Sequence, residues 1–318
     1  MTRDLSRLLR PKSIALFGGG WAVNVVAQLK KSGFDGEIWP VNPKRADILG
    51  VPCLASIDDL PSAPDASFIG VNRDATIEVV EKLSAMGAGG ATCFASGFLE
   101  SEAETAGGAE LQARLIAAAA DMPILGPNCY GLLNYLDNVT LWPDQHGGVP
   151  VDSGVAIVAQ SSNIAINMTM QARGLPIAYV LAAGNQAQTG ASAIAEALLD
   201  DDRVTAIGLY LEGFGDLRAL EAFAAKARAK HKPVVAIKIG RSDKARAATM
   251  THTASLAGSA AAAPRHHRGR DHRGVPRDAQ APAHDRPAGR RVGLLGQLLG
   301  RRGEPDGGSE RRDTDRFH

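Results

Sequence analysis

The chain has 318 residues, 22% charged and 45% apolar, with a formal net charge of +1; that is enough chain for two folded domains of ordinary size. Its three cysteines (Cys53, Cys93, Cys129) are too few and too scattered for a disulfide framework or a metal cluster, so no metal is expected, and a reducing, cytoplasmic compartment is. No run of 18 apolar residues appears, nor a basic start followed by an apolar run and a small-residue cleavage site, so neither a membrane partner nor a secretory leader is expected.

From residue 13 to 240, short β-rich runs alternate with helix-period stretches. The first strands are SIALFG (13–18), EIWPVN (37–42), ASFIGV (66–71), GATCFAS (90–96) and PILGP (123–127). The second series is GVAIVAQ (154–160), PIAYVLAAG (176–184), VTAIGLYLEG (204–213) and PVVAIKIG (233–240). Helical periods fall at 74–88, 109–121, 161–173, 189–200 and 217–230. Strands that are apolar throughout and separated by helices predict parallel sheets joined by right-handed crossovers, hence an α/β fold. The series breaks at GLLNYLDNVTLWPDQHGGVPVDSG, whose turn-rich part around 140–152 is the expected boundary between domains at 1–145 and 150–262.

Ligands of open α/β sheets bind beyond the carboxyl ends of the strands. The first such turn is Gly18, Gly19 and Gly20, followed by Trp21. Glycines there admit a phosphate close to the backbone at a helix start, but the spacing is not GxGxxG, and a tight structural turn explains it as well. The turn PVNPKR (40–45) sets Asn42, Pro43 and Lys44 at the second strand's end, as a phosphate partner or as a solvated basic turn. GPNCYG (126–131) ends the fifth strand with Asn128, while Cys129 has no His or acid near it in sequence to make it a nucleophile. Ser161, Ser162 and Asn163 lead from a strand into a helix, as caps or as an anion site. Glu212 follows an apolar strand, placed to meet a ligand or simply on the surface. In THTASLAG (251–258), His252 sits in a small-residue turn; a neutral imidazole is a competent nucleophile toward phosphorus.

Taken in order, RPKSIALFG, PVNPK, GPNCYG, the QSSN helix start, YLEG, KPVVAIKIGRS and THTASLAG resemble the NDP-forming acyl-CoA synthetases, relatives of the succinyl-CoA synthetase α subunit, over about residues 8 to 258. The resemblance implies a Rossmann-like CoA-binding domain followed by a flavodoxin-like domain of the succinyl-CoA synthetase type. It implies CoA contacts at Gly18, Gly19, Gly20, Asn42, Pro43 and Lys44, with Asn128 near the thiol. It implies phosphate received at Ser161, Ser162 and Asn163, phosphorylation of His252, and Glu212 orienting that histidine. The reaction implied is acyl-CoA + NDP + phosphate going to acid + CoA + NTP, through an acyl phosphate and then phosphohistidine. Three departures stand out. Trp21, Ala22, Val23 and Asn24 follow the glycine turn where the family has a small, glycine-containing segment. The second-domain helix begins Ser161-Ser162-Asn163 rather than Ser-Gly. GNQAQTG (184–190) lacks the acid often found there.

After residue 263 the chain changes character. All ten lysines lie before Pro264; the last 55 residues hold 13 arginines and 8 acids, whereas the first 263 hold 22 cations against 26 acids. Such a tail is expected to be disordered. Arg, Gly, Pro, Ala and His are what a GC-rich gene yields in a wrong frame, and RDAQAPAHDRP can be written in codons that, one base later, read ETLKLLHMTGP. A frameshift near residues 258–264 is therefore expected, which leaves no recognisable ATP-grasp domain; NDP, NTP and Mg would be handled by a partner chain, a β-like subunit. The alternatives are a non-catalytic CoA- or nucleotide-binding module, and a nucleic-acid binder acting through the basic tail. A hydride-transferring Rossmann enzyme is disfavoured by the absent GxGxxG.

Overall fold

In the computed structural model, which describes residues 3–102 and 106–239, the chain runs through α1 (Ser6–Leu9), β1 (Ser13–Gly18), α2 (Gly20–Ser32), β2 (Glu37–Val41), the two-residue strands β3 (Asp47–Ile48) and β4 (Val51–Pro52), β5 (Ala66–Gly70), α3 (Arg73–Ala85), β6 (Ala91–Cys93), α4 (Gly108–Ala119) and β7 (Ile124–Leu125). It continues through β8 (Leu132–Asn134), β9 (Val139–Leu141), β10 (Gly154–Ala159), α5 (Ser162–Thr169), β11 (Ile177–Ala182), α6 (Ala191–Leu198), β12 (Val204–Leu211), α7 (Leu217–Ala229) and β13 (Val234–Lys238).

Two sheets result. The first is wholly parallel, in the order β2-β1-β5-β6-β7. Its central strand buries both faces, and the period of two sorts them. Ile14, Leu16 and Phe68 join Ala22, Val25, Val26 and Leu29 of α2, while Ala15, Phe17 and Ile69 join Ile77, Val80 and Leu83 of α3 and Leu115 of α4. The second sheet is ordered β13-β12-β10-β11-β8-β9. β10 to β13 are parallel, and β10 and β11 are buried at every residue, which is why they read as unbroken apolar runs.

The passage expected to interrupt the strands carries two short ones in its first half, and the strands stop only in its turn-rich part, between residues 141 and 154. Leu132, Leu133 and Asn134 pair antiparallel with Leu181, Val180 and Tyr179, and β9 extends that pairing, so residues 132–141 complete the second sheet. Each strand is three residues long, and the residues of β11 that β8 pairs with lie more than forty positions further on, beyond any local pattern. The hairpin is fastened by Arg203, whose guanidinium makes a two-pronged pair with Asp137 (2.7 and 2.9 Å) and also reaches Asp201. The apolar core is continuous from α2 through Trp142 into the second sheet. No helix among the described residues is long and apolar enough to cross a membrane.

Candidate functional site

The carboxyl ends of β1, β5, β6 and β7 face the end of β10, and between them lies a cleft of 880 Å³. One wall comes from the first sheet: Trp21, Gly70, Val71, Asn72, Arg73, Phe94, Ser96 and Glu100. The other comes from the second: Gln160, Ser161, Ser162 and Asn163; Asn128 and Tyr130 bridge the two.

The glycine turn is built around Gly18 alone. Its φ of +131° is open only to glycine, and a Cβ there would meet the Gly70 carbonyl oxygen at 2.5 Å, because β1 and β5 pair Gly18 against Gly70. Gly19 and Gly20 are different: a Cβ on either would touch nothing within 4 Å. They leave open space over the start of α2, whose N-cap, Gly19, supplies no side-chain hydrogen bond. The first N–H groups of α2 thus point outward without a side-chain cap, the arrangement that receives a phosphate.

Asn42 does not face the cleft. Its side chain donates to the Gly18 carbonyl (3.0 Å) and accepts from the Lys44 N–H (2.9 Å), so it ties the second turn to the first. Pro43 and Lys44 are exposed beside it.

Ser161 caps α5 by accepting from the Ile164 N–H, and the Ser162 hydroxyl accepts from the Tyr130 N–H at 3.2 Å. The helix start is thereby pinned to the loop that carries Asn128. That loop is itself clamped by the second domain. The N–H groups of Asn185 and Ala187 donate to the Pro127 and Gly126 carbonyls, each at 3.0 Å, and the Gln188 side chain accepts from Ile124 and donates to Met122. GNQAQTG, whose departure from the family pattern left its role open, is the clasp between the two sheets.

Glu212 is 4% exposed and is not a surface residue. Gln160, the residue after β10, accepts from the N–H groups of Glu212 and Gly213 and donates to the Gly213 carbonyl, while the Lys238 ammonium donates to the Glu212 carbonyl at 2.6 Å. Gln160 also lines the cleft, so the end of β12 is locked to it through one side chain. His252 lies outside the described residues, as does the tail from 263.

Cys129 is 1% exposed and burial raises its thiol well above the ordinary value; Cys93 beside it is pushed up to about 12 by burial. Neither is a thiolate near neutrality, so Cys129 is no nucleophile. Burial, with Asp144 nearby, also raises the Tyr130 phenol, which stays protonated.

Among the lining residues given no role of their own by the motif reading are Gln160, Glu100 and Trp21. Gln160 looks like a strand-end amide. Glu100 holds the 97–100 loop by accepting from the Gly97 N–H at 2.7 Å. Trp21 was read only as an irregularity after the glycines, yet it starts a series of rings: Trp21 to Phe94 at 4.8 Å, Phe94 to Tyr130 at 5.5 Å, and Tyr130 to Trp142 at 5.4 Å.

Residues 12–135 match the family model described as a CoA binding domain, and residues 152–268 the one described as a succinyl-CoA ligase like flavodoxin domain. The chain is 33% identical over 268 residues to a trans-feruloyl-CoA synthase from an unknown prokaryotic organism, covering 80% of this chain and 38% of that protein. It is 33% identical over 264 residues to the ADP-forming acetate–CoA ligase of Methanocaldococcus jannaschii, covering 80% and 36%. The α subunit of the ADP-forming acetate–CoA ligase II of Pyrococcus furiosus is 28% identical over 267 residues, covering 80% and 56%. The solved dinucleotide-forming acetyl-coenzyme A synthetase 1 of Ca. Korarchaeum cryptofilum, in complex with phosphate and ADP, superposes with a TM-score of 0.71 at 28% identity, over 81% of this chain and 56% of that one. The chain thus spans well under two thirds of the length of these relatives.

Proposed function

The chain belongs to the NDP-forming acyl-CoA synthetases, with their CoA-binding domain and succinyl-CoA-ligase-like flavodoxin domain, and from that premise we propose that it is the CoA-binding, phosphoryl-relaying part of such an enzyme. The observation that carries the reading is the shared cleft. Trp21 at the start of α2, Asn128 and the helix start at residues 161–163 line one space, so a CoA chain held at the start of α2 would end where a phosphate would be held. The residues fit CoA: no Cβ obstructs Gly19 or Gly20, and Lys44 lies beside the turn to meet a phosphate.

In the direction that releases CoA, phosphate held by Ser161, Ser162 and Asn163 attacks the acyl carbonyl. The C–S bond breaks, CoA leaves as the thiolate and takes up a proton, and an acyl phosphate remains. The His252 ring nitrogen then attacks phosphorus, the P–O bond to the acyl oxygen breaks, and the free acid departs as its carboxylate. Glu212 is assigned to orient and stabilise His252. The phosphoryl group passes to an NDP, so the sum is acyl-CoA + NDP + phosphate to acid + CoA + NTP. Catalysis here is positioning and charge stabilisation, for which helix N–H groups and fixed amides are suited.

The final transfer requires an ATP-grasp unit with NDP and Mg. A chain of this span is proposed to need a partner for it, in keeping with relatives named as α subunits. With three free cysteines, a cytoplasmic setting suits it. On its own the chain acts as a CoA-binding module.

The test is calorimetry of the 318-residue chain with CoA. Gly20→Asp puts a carboxylate over the start of α2, where it favours the helix but repels phosphates, and should weaken CoA binding by about tenfold or more. No CoA binding, or binding indifferent to Gly20→Asp, overturns the reading. Labelled acetyl phosphate should leave acid-labile phosphate on the chain but not on His252→Ala; if both variants label alike, His252 is not the carrier.

A further inference from the structure

We propose that the start of α6 is the floor of a second binding site, one that takes a small monocarboxylate with a short apolar body. The proposal goes beyond the synthetase reading and does not rest on it, since the site shares no lining residue with the cleft.

A cavity of 500 Å³ lies between the starts of α6 and α7 and the N-terminal segment that carries Arg3 and Leu5. α6 meets it bare. Its N-cap is Gly190, which supplies no side-chain hydrogen bond, and its first turn holds no acid. The Ala191 N–H donates to the Gln186 side-chain oxygen at 2.7 Å, and the Ile194 N–H donates to the Gly190 carbonyl at 3.1 Å. Between them, the N–H groups of Ser192 and Ala193 have no acceptor among the described residues, and both residues line the cavity. α7 starts differently: Asp216 caps it, accepting from the Arg218 N–H at 2.8 Å. The carboxylate that α7 carries in its own chain is what the start of α6 lacks.

A bare helix start does not make a site by itself. The second observation is the Ser192 side chain. It is 5% exposed, it lines the cavity, and its hydroxyl makes no hydrogen bond among the described residues. A buried hydroxyl without a partner is costly, and this one stands beside two N–H groups in the same condition. Three donors without an acceptor, at the positive end of a helix, call for an anionic oxygen.

Charge selects the anion. Arg3 and Arg218 line the cavity, but so do Glu196 and Asp216, and the four charges sum to zero. A phosphate would bring its second negative charge against the two carboxylates, whereas a carboxylate brings one charge and places it on the helix start. The lining also includes Leu5, Phe214 and Ala222, which give a short apolar chain a surface to cover. The same segment that clasps the Asn128 loop through the Asn185 and Ala187 N–H groups goes on to line this cavity with Gln188, Thr189 and Gly190.

The test is a TROSY titration of the deuterated, ¹⁵N-labelled 318-residue chain with butyrate, acetate and inorganic phosphate at constant ionic strength. Butyrate should move the Ser192 and Ala193 amides saturably, with a Kd on the order of a millimolar. Acetate, two methylenes shorter, should bind about tenfold more weakly. Ser192→Ala, which removes one of the three donors, should weaken butyrate about fivefold. Ser192→Asp places a carboxylate in the first turn of α6; it should abolish the shifts while leaving the melting temperature unchanged or higher, since an acid there favours the helix. The proposal is overturned if the Ser192 and Ala193 amides do not respond, or if butyrate binds equally well to both variants and the wild type. Shifts confined to residues 161–163 would put the acid in the cleft alone and also overturn it. Phosphate binding at Ser192 more tightly than butyrate would overturn the choice of a monocarboxylate.

Discussion

The Glu100 carboxylate accepts a hydrogen bond from the Asn185 side-chain amide, joining positions 85 apart across the mouth of the cleft. The direction of this bond orders the next one. An ionised carboxylate only accepts, so the Asn185 NH2 faces it, and the Asn185 oxygen is left to face the Asn128 NH2 at 3.5 Å. Asn128, in turn, presents its own oxygen elsewhere. The orientation of an amide at the centre of the site is thus inherited from a residue at its edge.

Glu100→Ala strands the Gly97 N–H, the Asn185 amide and the start of this relay. We expect a loss of about 1–3 kcal/mol in urea unfolding, and less than half of that for Glu100→Gln, which keeps an acceptor. Equal losses for the two variants would mean the charge itself matters more than the geometry.

Gly18→Ala should be among the costliest single-methyl changes in the chain. It puts a Cβ at φ +131° and 2.5 Å from the Gly70 carbonyl oxygen, against backbone that cannot give way as a side chain would. The expected loss is about 2–4 kcal/mol. Gly19→Ala, with open space around it, should be nearly neutral, and thermal melts of the pair would distinguish a structural glycine from a permissive one.

Arg203 holds Asp137 and Asp201 together, and stability should depend on acid accordingly. Burial by itself would raise the Asp201 pKa, but hydrogen bonds from the Arg203 side chain and backbone and from Tyr179 outweigh it and bring it to about 2. A carboxylate with a depressed folded pKa contributes stability that is full above its unfolded value, near 3.9, and is lost as pH falls toward 2. After allowance for solvent screening this is roughly 1–2 kcal/mol. Arg203→Met should flatten the stability profile between about pH 5 and pH 2, measured by denaturant titration at each pH.

Thiol titration gives a simple check on burial. Cys93 and Cys129 are buried with raised pKa values, while Cys53 is half-buried. In the folded chain a disulfide reagent near pH 8 should modify at most Cys53 rapidly, and all three cysteines in denaturant. Rapid native modification of two or more would contradict the packing under the GPNC turn.

Much of this arrangement is legible without coordinates. The runs at 13–18 and 154–159 are apolar at consecutive positions because both faces of a parallel strand are covered, and the turns that follow such strands are where polar and glycine residues collect. Seven motifs in order were enough to assign the family and the fold. The helix start at residue 162 was also accessible, since Ser161 is a capping residue whose hydrogen bond is local.

Other features were beyond any reading of the chain. β8 and β9 are too short to carry a period, and their place beside β11 depends on a hydrogen-bond register with residues far along the chain. Gln160 is an ordinary amide until Glu212 and Gly213 arrive beside it, and Trp21 is an irregularity until Phe94 and Tyr130 extend it into a wall. The sequence by itself determined the long parallel strands and the polar or glycine turns that follow them, because periodicity, capping and glycine conformation are local. Only the tertiary structure decided that Trp21 at the start of α2, Asn128 and the helix start at residues 161–163 share one cleft, because that depends on contacts between sheets, which no local pattern encodes.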